Sequence, residues 1–239
     1  TPDEFYRRLI DGSVLPKTSQ PSVGEFARVY DQLSHDAEGV ISVHISSKLS
    51  GTYNSAIQAK GQININCPIE VIDTYQASMG LGNVAIASAR AAQQGASLQE
   101  VIKIAHQAIE RSQCFILLDT MEYLEKGGRV GKAKAMLGTL LSIKPMLILQ
   151  DGEVHELAKE RTRRKGIHKL ELVSSRFAPL DNLSVVYSTT SDEADDLSNS
   201  LKNLLPGKEK PVVARFGPVL GTYVGPGALG IALLRTQAP

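Results

Sequence analysis

The run "GVISVHI" (39–45) constrains the chain more than any other stretch. It is nearly all apolar and rich in β-branched side chains, and a hydroxyl-rich loop and a helical stretch follow it at once. A strand that is apolar on both faces must be covered on both faces, which is the situation of a parallel sheet in an α/β protein. "IEVIDTY" (69–75) repeats the pattern, and helices are predicted over 23–33, 50–60, 79–94 and 98–112.

The texture changes from "CFILLDT" (114–120) onward. "KPMLILQDGEVHELAKE" (144–160) reads as two strands joined by Asp151-Gly152, a dipeptide that suits a two-residue hairpin turn. A basic helix (161–172), a strand "LSVVYSTT" (183–190), an acidic-faced helix (192–205) and two short runs on either side of "GPVLGTYVGPGALG" (217–230) complete the chain. The expected fold class is therefore α/β in two lobes. Residues 1–112 form an N-terminal domain with a parallel sheet, and residues 113–239 form a C-terminal domain with a mixed or antiparallel sheet and helices. The boundary is placed near Ser112, with a ligand cleft between the domains.

The loop after the first strand, "SSKLSGTYNSA" (46–56), holds six hydroxyls and no Asp, Glu or His. Loops at the carboxyl ends of parallel strands are where open α/β sheets bind ligands. A helix starting near Ser50 would present unpaired N–H groups and a partial positive charge there, so Ser47, Ser50, Gly51 and Thr52 are candidate anion contacts. On spacing alone, Ser50 as a plain helix cap is the favoured reading. A second donor-rich segment, "LPKTSQPSVGEF" (15–26), places Thr18 and Ser19 between two stiffening prolines. Its plainer reading is a capped turn before the helix at 23–33.

Several function classes are excluded or disfavoured. With 26 Lys plus Arg against 25 Asp plus Glu, the net charge of +1 provides no broad field for nucleic acid. Cys67 and Cys114 lie too far apart for a metal or redox pair and fit a cytoplasmic protein. No apolar stretch reaches the roughly 18–20 residues that span a bilayer, and "TPDEFYRRLI" is no signal peptide. "GPGALG" (225–230) matches a dinucleotide fingerprint but lacks room for the required βαβ unit. "KGGRVGK" (126–132) imitates a phosphate loop but is one residue short, with Ala133 where a magnesium-binding hydroxyl belongs. No metal site and no cofactor are expected.

Taken together, "LPKTSQPS", "SSKLSGTYNSA", "VIDTYQASMGLG", "EYLEKGGRVGKAKAMLGTLLSIKPMLILQDGEV", "KERTRRKG" and "GTYVGPGALG" resemble the DegV family, in family order and across essentially the whole chain. That family includes the fatty-acid-binding (FakB-type) subunits of bacterial fatty acid kinase. The resemblance implies an α/β first lobe, a second lobe with a mixed sheet, and one long-chain fatty acid buried between them. It implies no chemistry by the chain itself: a separate ATP-dependent kinase subunit phosphorylates the presented carboxyl group for phospholipid synthesis. Carried over by position, the carboxylate contacts fall on Thr18 and on Ser50 with neighbouring backbone N–H groups. The third contact, a His in FakB-type members, falls on Tyr223, which can donate a hydrogen bond but is no cation. Family members also begin with a strand and a "DS" loop that this chain lacks, so its first sheet is expected to miss a strand.

Arg129 is a candidate for the pocket mouth or the kinase-facing surface, with a solvated loop arginine as the plain alternative. Arg161, Arg163, Arg164 and Lys165 are candidates for docking a partner or a membrane surface, although such a run is more often a solvated helix face. Met79, Leu81, Met136, Leu140, Met146 and Ile148 are candidates for the acyl tunnel or, equally on spacing, for the core. Two other readings compete with a lipid carrier: a lipid or small-molecule sensor without a kinase partner, and a serine hydrolase using Ser50 and His44. Against the hydrolase, Lys48 occupies the first Gly position of a G-x-S-x-G elbow and His44 lies within the strand.

Overall fold

The computed structural model describes residues 1–12, 14–137 and 143–236. The chain opens with α1 (Pro2–Asp11), which starts on Pro2 and is capped by Thr1 Oγ1 accepting from the Glu4 N–H. The next helix is α2 (Val23–Ser34), where Ser22 and Glu25 form a reciprocal capping box. β1 (Val40–His44) follows, then α3 (Thr52–Gln62), β2 (Ile69–Asp73), α4 (Ser78–Gln93) and α5 (Leu98–Arg111). β1 and β2 pair in parallel from Val40↔Ile69 to His44↔Asp73 and make up a two-stranded sheet.

A second sheet starts at β3 (Ser112–Leu117). After α6 (Glu122–Lys126) and a 3-10 helix (Gly131–Met136) come β4 (Lys144–Gln150), β5 (Glu153–Glu160), α7 (Arg163–Ser175), β6 (Leu180–Tyr187), α8 (Ser191–Leu201), β7 (Val212–Arg215), α9 (Pro218–Val224) and β8 (Leu229–Arg235). The six strands run in the order β5-β4-β3-β8-β6-β7. Only β6 and β7 pair in parallel, so this sheet is mixed. The turn between β4 and β5 has positive φ at both Asp151 (50°) and Gly152 (79°), the primed turn that matches strand twist.

One face of the larger sheet presents Phe115, Leu117, Met146, Leu183, Val185, Leu229, Ile231 and Leu233 to α7 and α8, and this is the main core. The α4–α5 pair contacts both sheets. Ile72 of β2 and Leu234 of β8 meet Val84, Ala105 and Ala108 in one apolar cluster. α1 packs against α9 near the other end of the chain, and the Tyr6 hydroxyl donates to the Phe216 carbonyl at 2.9 Å. Burial pushes the Tyr6 phenol up to about 12, against the opposing pull of Arg215.

Several boundaries differ from the sequence reading. α3 begins at Thr52, because residues 47–51 first complete a turn and Gly51, without a side-chain bond, is its cap. Ser50 is therefore not the cap. The acidic helix stops at Leu201 and continues only as 3-10 turns over Lys202–Leu204 and Pro206–Lys208. α1, α6 and α9 were not anticipated; α9 starts on Pro218 inside a segment whose glycines mask its helical period.

β1 carries a buried relay. The Tyr30 hydroxyl donates to Ser42 Oγ (2.8 Å), which is also hydrogen-bonded to His44 Nε2 (2.6 Å), and Phe26 stands edge-on to the imidazole. Burial lowers the His44 pKa from 6.5, with Asp73 opposing. A lowered folded-state pKa means that the unfolded chain binds the proton more readily, so this contribution to stability is complete above pH 6.5 and lost as pH falls below it. The urea midpoint of the protein should thus fall between pH 7 and pH 5, and more shallowly in His44→Asn. Equal slopes in the two proteins would show that His44 does not contribute.

Candidate ligand cavity

A cavity of about 420 Å³ lies between the two sheets. The strand β1 ends at His44, and the loop that follows contributes Ile45, Leu49 and Ser50 to the wall, with Thr52 from the start of α3. This loop is fixed on both sides. The Ser47 N–H donates to both carboxylate oxygens of Asp73 at 3.2 Å, and Ser46 Oγ donates to the Gly152 carbonyl at 2.7 Å, joining it to the tip of the β4–β5 hairpin. Cys114 and Ile116 from β3 and Leu147 and Leu149 from β4 form an apolar floor, and Leu220, Tyr223 and Val224 from α9 close one side.

The polar groups gather at one end. Thr18 Oγ1 and the Tyr223 hydroxyl lie 2.5 Å apart. The Arg129 guanidinium stacks on the Tyr223 ring 5.0 Å from its centroid, donates from Nε to the Leu49 carbonyl (3.2 Å) and from Nη1 to the Gly127 carbonyl (2.8 Å). Gly127 leaves the room for this: a β-carbon there would fall 2.5 Å from the Tyr223 ring. Ser50 Oγ lies 2.8 Å from Thr52 Oγ1 and accepts from the Thr52 N–H at 3.3 Å. Arg129 is the one charged side chain among the described residues lining the cavity, and no carboxylate accompanies it there. The arrangement suits an anionic head group with a long apolar tail: a cation and hydroxyl donors at one end and an apolar surface beyond.

Thr18, Ser19, Ser50, Thr52, Arg129 and Tyr223 all line the cavity. Ser47 and Gly51 do not: the Ser47 amide is engaged with Asp73, and Gly51 backs onto the Gln20 side chain. Among the apolar candidates, Ile148 lines the wall. Met146 lies fully buried in the core that includes Leu170. Met136 and Met79 pack in the cluster that includes Leu124 and Phe216. Leu81 lies away from the cavity, and Leu140 lies outside the described residues. Gln20, Cys114 and the apolar residues of α9 were not anticipated. The period-2 alternation of Cys114 and Ile116 on β3 was the signal available for that floor.

Ser50 and His44 are not paired. The Ser50 hydroxyl meets Thr52, whereas His44 Nε2 is hydrogen-bonded to Ser42, so the imidazole does not stand beside the Ser50 oxygen. The four basic residues at 161–165 also separate. Arg161, Arg164 and Lys165 are exposed, but Arg163 is held in ion pairs with Glu193 and Asp119. No group of His, Cys, Asp and Glu among the described residues could hold a metal ion. No helix among them is long and apolar enough to cross a membrane.

Such a fold, a small parallel sheet and a larger mixed sheet enclosing an apolar cavity with one polar end, defines a class of α/β ligand-binding proteins. The family model described as "Uncharacterised protein, DegV family" matches residues 1–236, and the chain belongs to the DegV family. It is 34% identical over 220 residues to a DegV domain-containing protein of Streptomyces coelicolor, covering 90% of this chain and 77% of that one. A DegV domain-containing protein of Clostridium acetobutylicum is 35% identical, covering 95% and 81%. Among solved structures, the fatty-acid-binding DegV family protein of Thermus thermophilus matches with a TM-score of 0.88 at 32% identity, covering 99% of this chain and 85% of that one. DegV of Bacillus subtilis, a fatty acid binding protein, matches with a TM-score of 0.85 at 29% identity, covering 98% and 84%.

Cys114 offers a direct probe of the cavity. Burial pushes its thiol up to about 12, and the surface it retains faces the cavity. N-ethylmaleimide at pH 7.5 should label Cys67 much faster than Cys114 in the folded protein, and a ligand filling the cavity should slow Cys114 further. Mass mapping that finds both thiols equally reactive, with or without ligand, would place Cys114 outside the cavity.

Proposed function

We propose that this protein binds one long-chain fatty acid in the cavity between its sheets. The carboxylate is held by Thr18, Ser50 and the backbone N–H groups at the start of α3, beside Arg129 and Tyr223. The carrying observation is the division of the cavity into one polar end with a single cation and an apolar remainder. The fatty-acid-binding DegV proteins of Thermus thermophilus and Bacillus subtilis support this reading. The volume of about 420 Å³ falls within the range of roughly 300–1,000 Å³ usual for small-ligand sites. Burying about fourteen methylenes yields roughly 11 kcal/mol gross, to be set against an association cost of about 4 kcal/mol or more. The bound acid is cargo presented to a separate ATP-dependent kinase subunit, and the chain itself performs no catalysis and uses no cofactor. The protein works in the cytoplasm, a placement supported by its two free thiols.

The organic extract of purified protein should contain about one equivalent of a long-chain fatty acid, read by mass spectrometry. Thr18→Ala and Ser50→Ala should each weaken fatty acid binding by about 1.5–3 kcal/mol, the worth of a donor to a charged acceptor, with little change in Tm. An extract free of acyl chains from folded protein that also takes up none in titration would end this reading. Labelling of Ser50 by a serine-reactive phosphonate would instead favour a hydrolase.

Tyr223 tests the coupling to a kinase separately. Mixed with its native kinase subunit, ATP and labelled fatty acid, the protein should support acyl phosphate formation, and Tyr223→His should raise the rate. Protein that binds the acid yet yields no acyl phosphate as wild type or as Tyr223→His is a lipid binder or sensor outside that pathway.

A further inference from the structure

The turn Gly225-Pro226-Gly227, which directly follows α9, is held at Gly227 by two side chains, neither of which touches the cavity. Arg163 Nη1 donates to the Gly227 carbonyl, and the Gly227 N–H donates to Thr189 Oγ1 at 2.9 Å. The guanidinium is itself fixed: Nε and Nη2 donate to the Glu193 carboxylate at 3.1 and 2.6 Å, Nη2 lies 3.4 Å from Thr190 Oγ1, and Asp119 stands 3.5 Å from Nη1. On the remaining side a β-carbon at Gly227 would fall 2.0 Å from Asp119 Oδ2, so only glycine lets the turn approach that carboxylate so closely. The next N–H, that of Ala228, donates to Ser188 Oγ at 2.8 Å. A residue that leads a basic helix is thus spent on a glycine carbonyl. A fork that meets a carbonyl and a carboxylate together is what a guanidinium does and an ammonium cannot.

We infer that Arg163 is a positioning residue for Tyr223: it fixes the turn that ends α9 and thereby the height at which the Tyr223 hydroxyl meets Thr18. Tyr223 lies two residues before Gly225, in the last turn of α9, whose Gly225 N–H donates to the Gly221 carbonyl at 2.9 Å. The phenol has narrow tolerance on its other sides, between Thr18 at 2.5 Å, the Arg129 guanidinium and the backbone at Gly127. Binding groups lose effect when displaced by more than about 0.5 Å, and Gly227 stands only four residues beyond Tyr223, at the end of the turn that α9 runs into. This inference rests on the reading of the cavity as a fatty acid site, in which Tyr223 closes the polar end.

The test uses the full chain with two readouts. In the first, oleate affinity is measured for wild type, Arg163→Met, Tyr223→Phe and the double variant, with Arg163→Lys and Thr189→Val as milder releases of the same turn. Arg163→Met should weaken oleate binding roughly threefold to tenfold. Arg163→Lys should do so less. In the Tyr223→Phe background Arg163→Met should have little further effect, because neighbours that act through one another are non-additive. Equal losses in both backgrounds, or no loss in the first, would overturn the proposal. Should Arg163→Met fail to fold, Thr189→Val carries the same cycle. The second readout needs no ligand: in protein labelled with 3-fluorotyrosine, the ¹⁹F resonance of Tyr223, assigned by its absence in Tyr223→Phe, should shift or broaden in Arg163→Lys and Thr189→Val while that of Tyr30 stays in place. An unmoved Tyr223 resonance refutes the positioning role. A moved resonance in a protein that binds no oleate upholds it and removes the fatty acid reading instead.

Discussion

The two sheets meet beside the cavity through a small set of hydrogen bonds, of which the buried one from Ser46 to the β4–β5 turn is the most enclosed, and the shape of the site depends on that junction. Ser46 Oγ donates to the Gly152 carbonyl, and Lys48 and Glu153 lie 3.6 Å apart alongside. Both protein groups of the bond are buried, so breaking it leaves a carbonyl without water, a cost of about 1–3 kcal/mol. The Asp151-Gly152 turn is what brings this carbonyl to the loop. Positive φ at two consecutive residues turns the hairpin within two residues, and the close approach to Ser46 and Tyr75 leaves no space for a side chain at Gly152. Turn chemistry in one half of the sequence thus sets where the hydroxyl loop of the other half stands.

Around that junction the site divides the work between backbone rigidity and side-chain chemistry. The loop 46–51 is held by Asp73 and by the hairpin, Tyr223 by α9 and its pinned turn, and Arg129 by two carbonyls. The backbone that carries these groups is thus held from outside the cavity, while Thr18 with Tyr223 and Ser50 with Thr52 hold one another within it. Preorganisation of this kind raises affinity by lowering the ordering cost on binding, which matters for a flexible ligand that must itself be straightened or bent to fit.

Much of this was legible in the sequence. The parallel pair β1 and β2, the hairpin at Asp151-Gly152 and the mixed character of the second sheet follow from apolar runs and turn residues, which are local signals. Thr18, Ser50, Thr52, Arg129 and Tyr223 were singled out, and the structure brings them to one cavity end across some two hundred residues of chain. What was not legible is tertiary in origin. Ser47 carries the same hydroxyl as Ser50, and only the position of Asp73 decides that its amide faces away from the cavity. Met146 and Ile148 lie on the same strand, read alike and touch the same core, yet only Ile148, nearer the hairpin end, also reaches the cavity wall. Arg163 looked like its basic neighbours because nothing local marks a carbonyl sixty-four residues away as its partner.

The α4–α5 pair has one more consequence. It buries one set of side chains against β1 and β2 and another against β8, so that Val84 and Ala105 belong to a cluster drawn from both sheets. Neither half of the chain can melt without baring the helices that cover the other, so heating should produce one cooperative transition instead of two separate ones. A guest molecule seated between the sheets would then act as mortar for the whole assembly, and its loss would be felt as far away as the opposite end of α5.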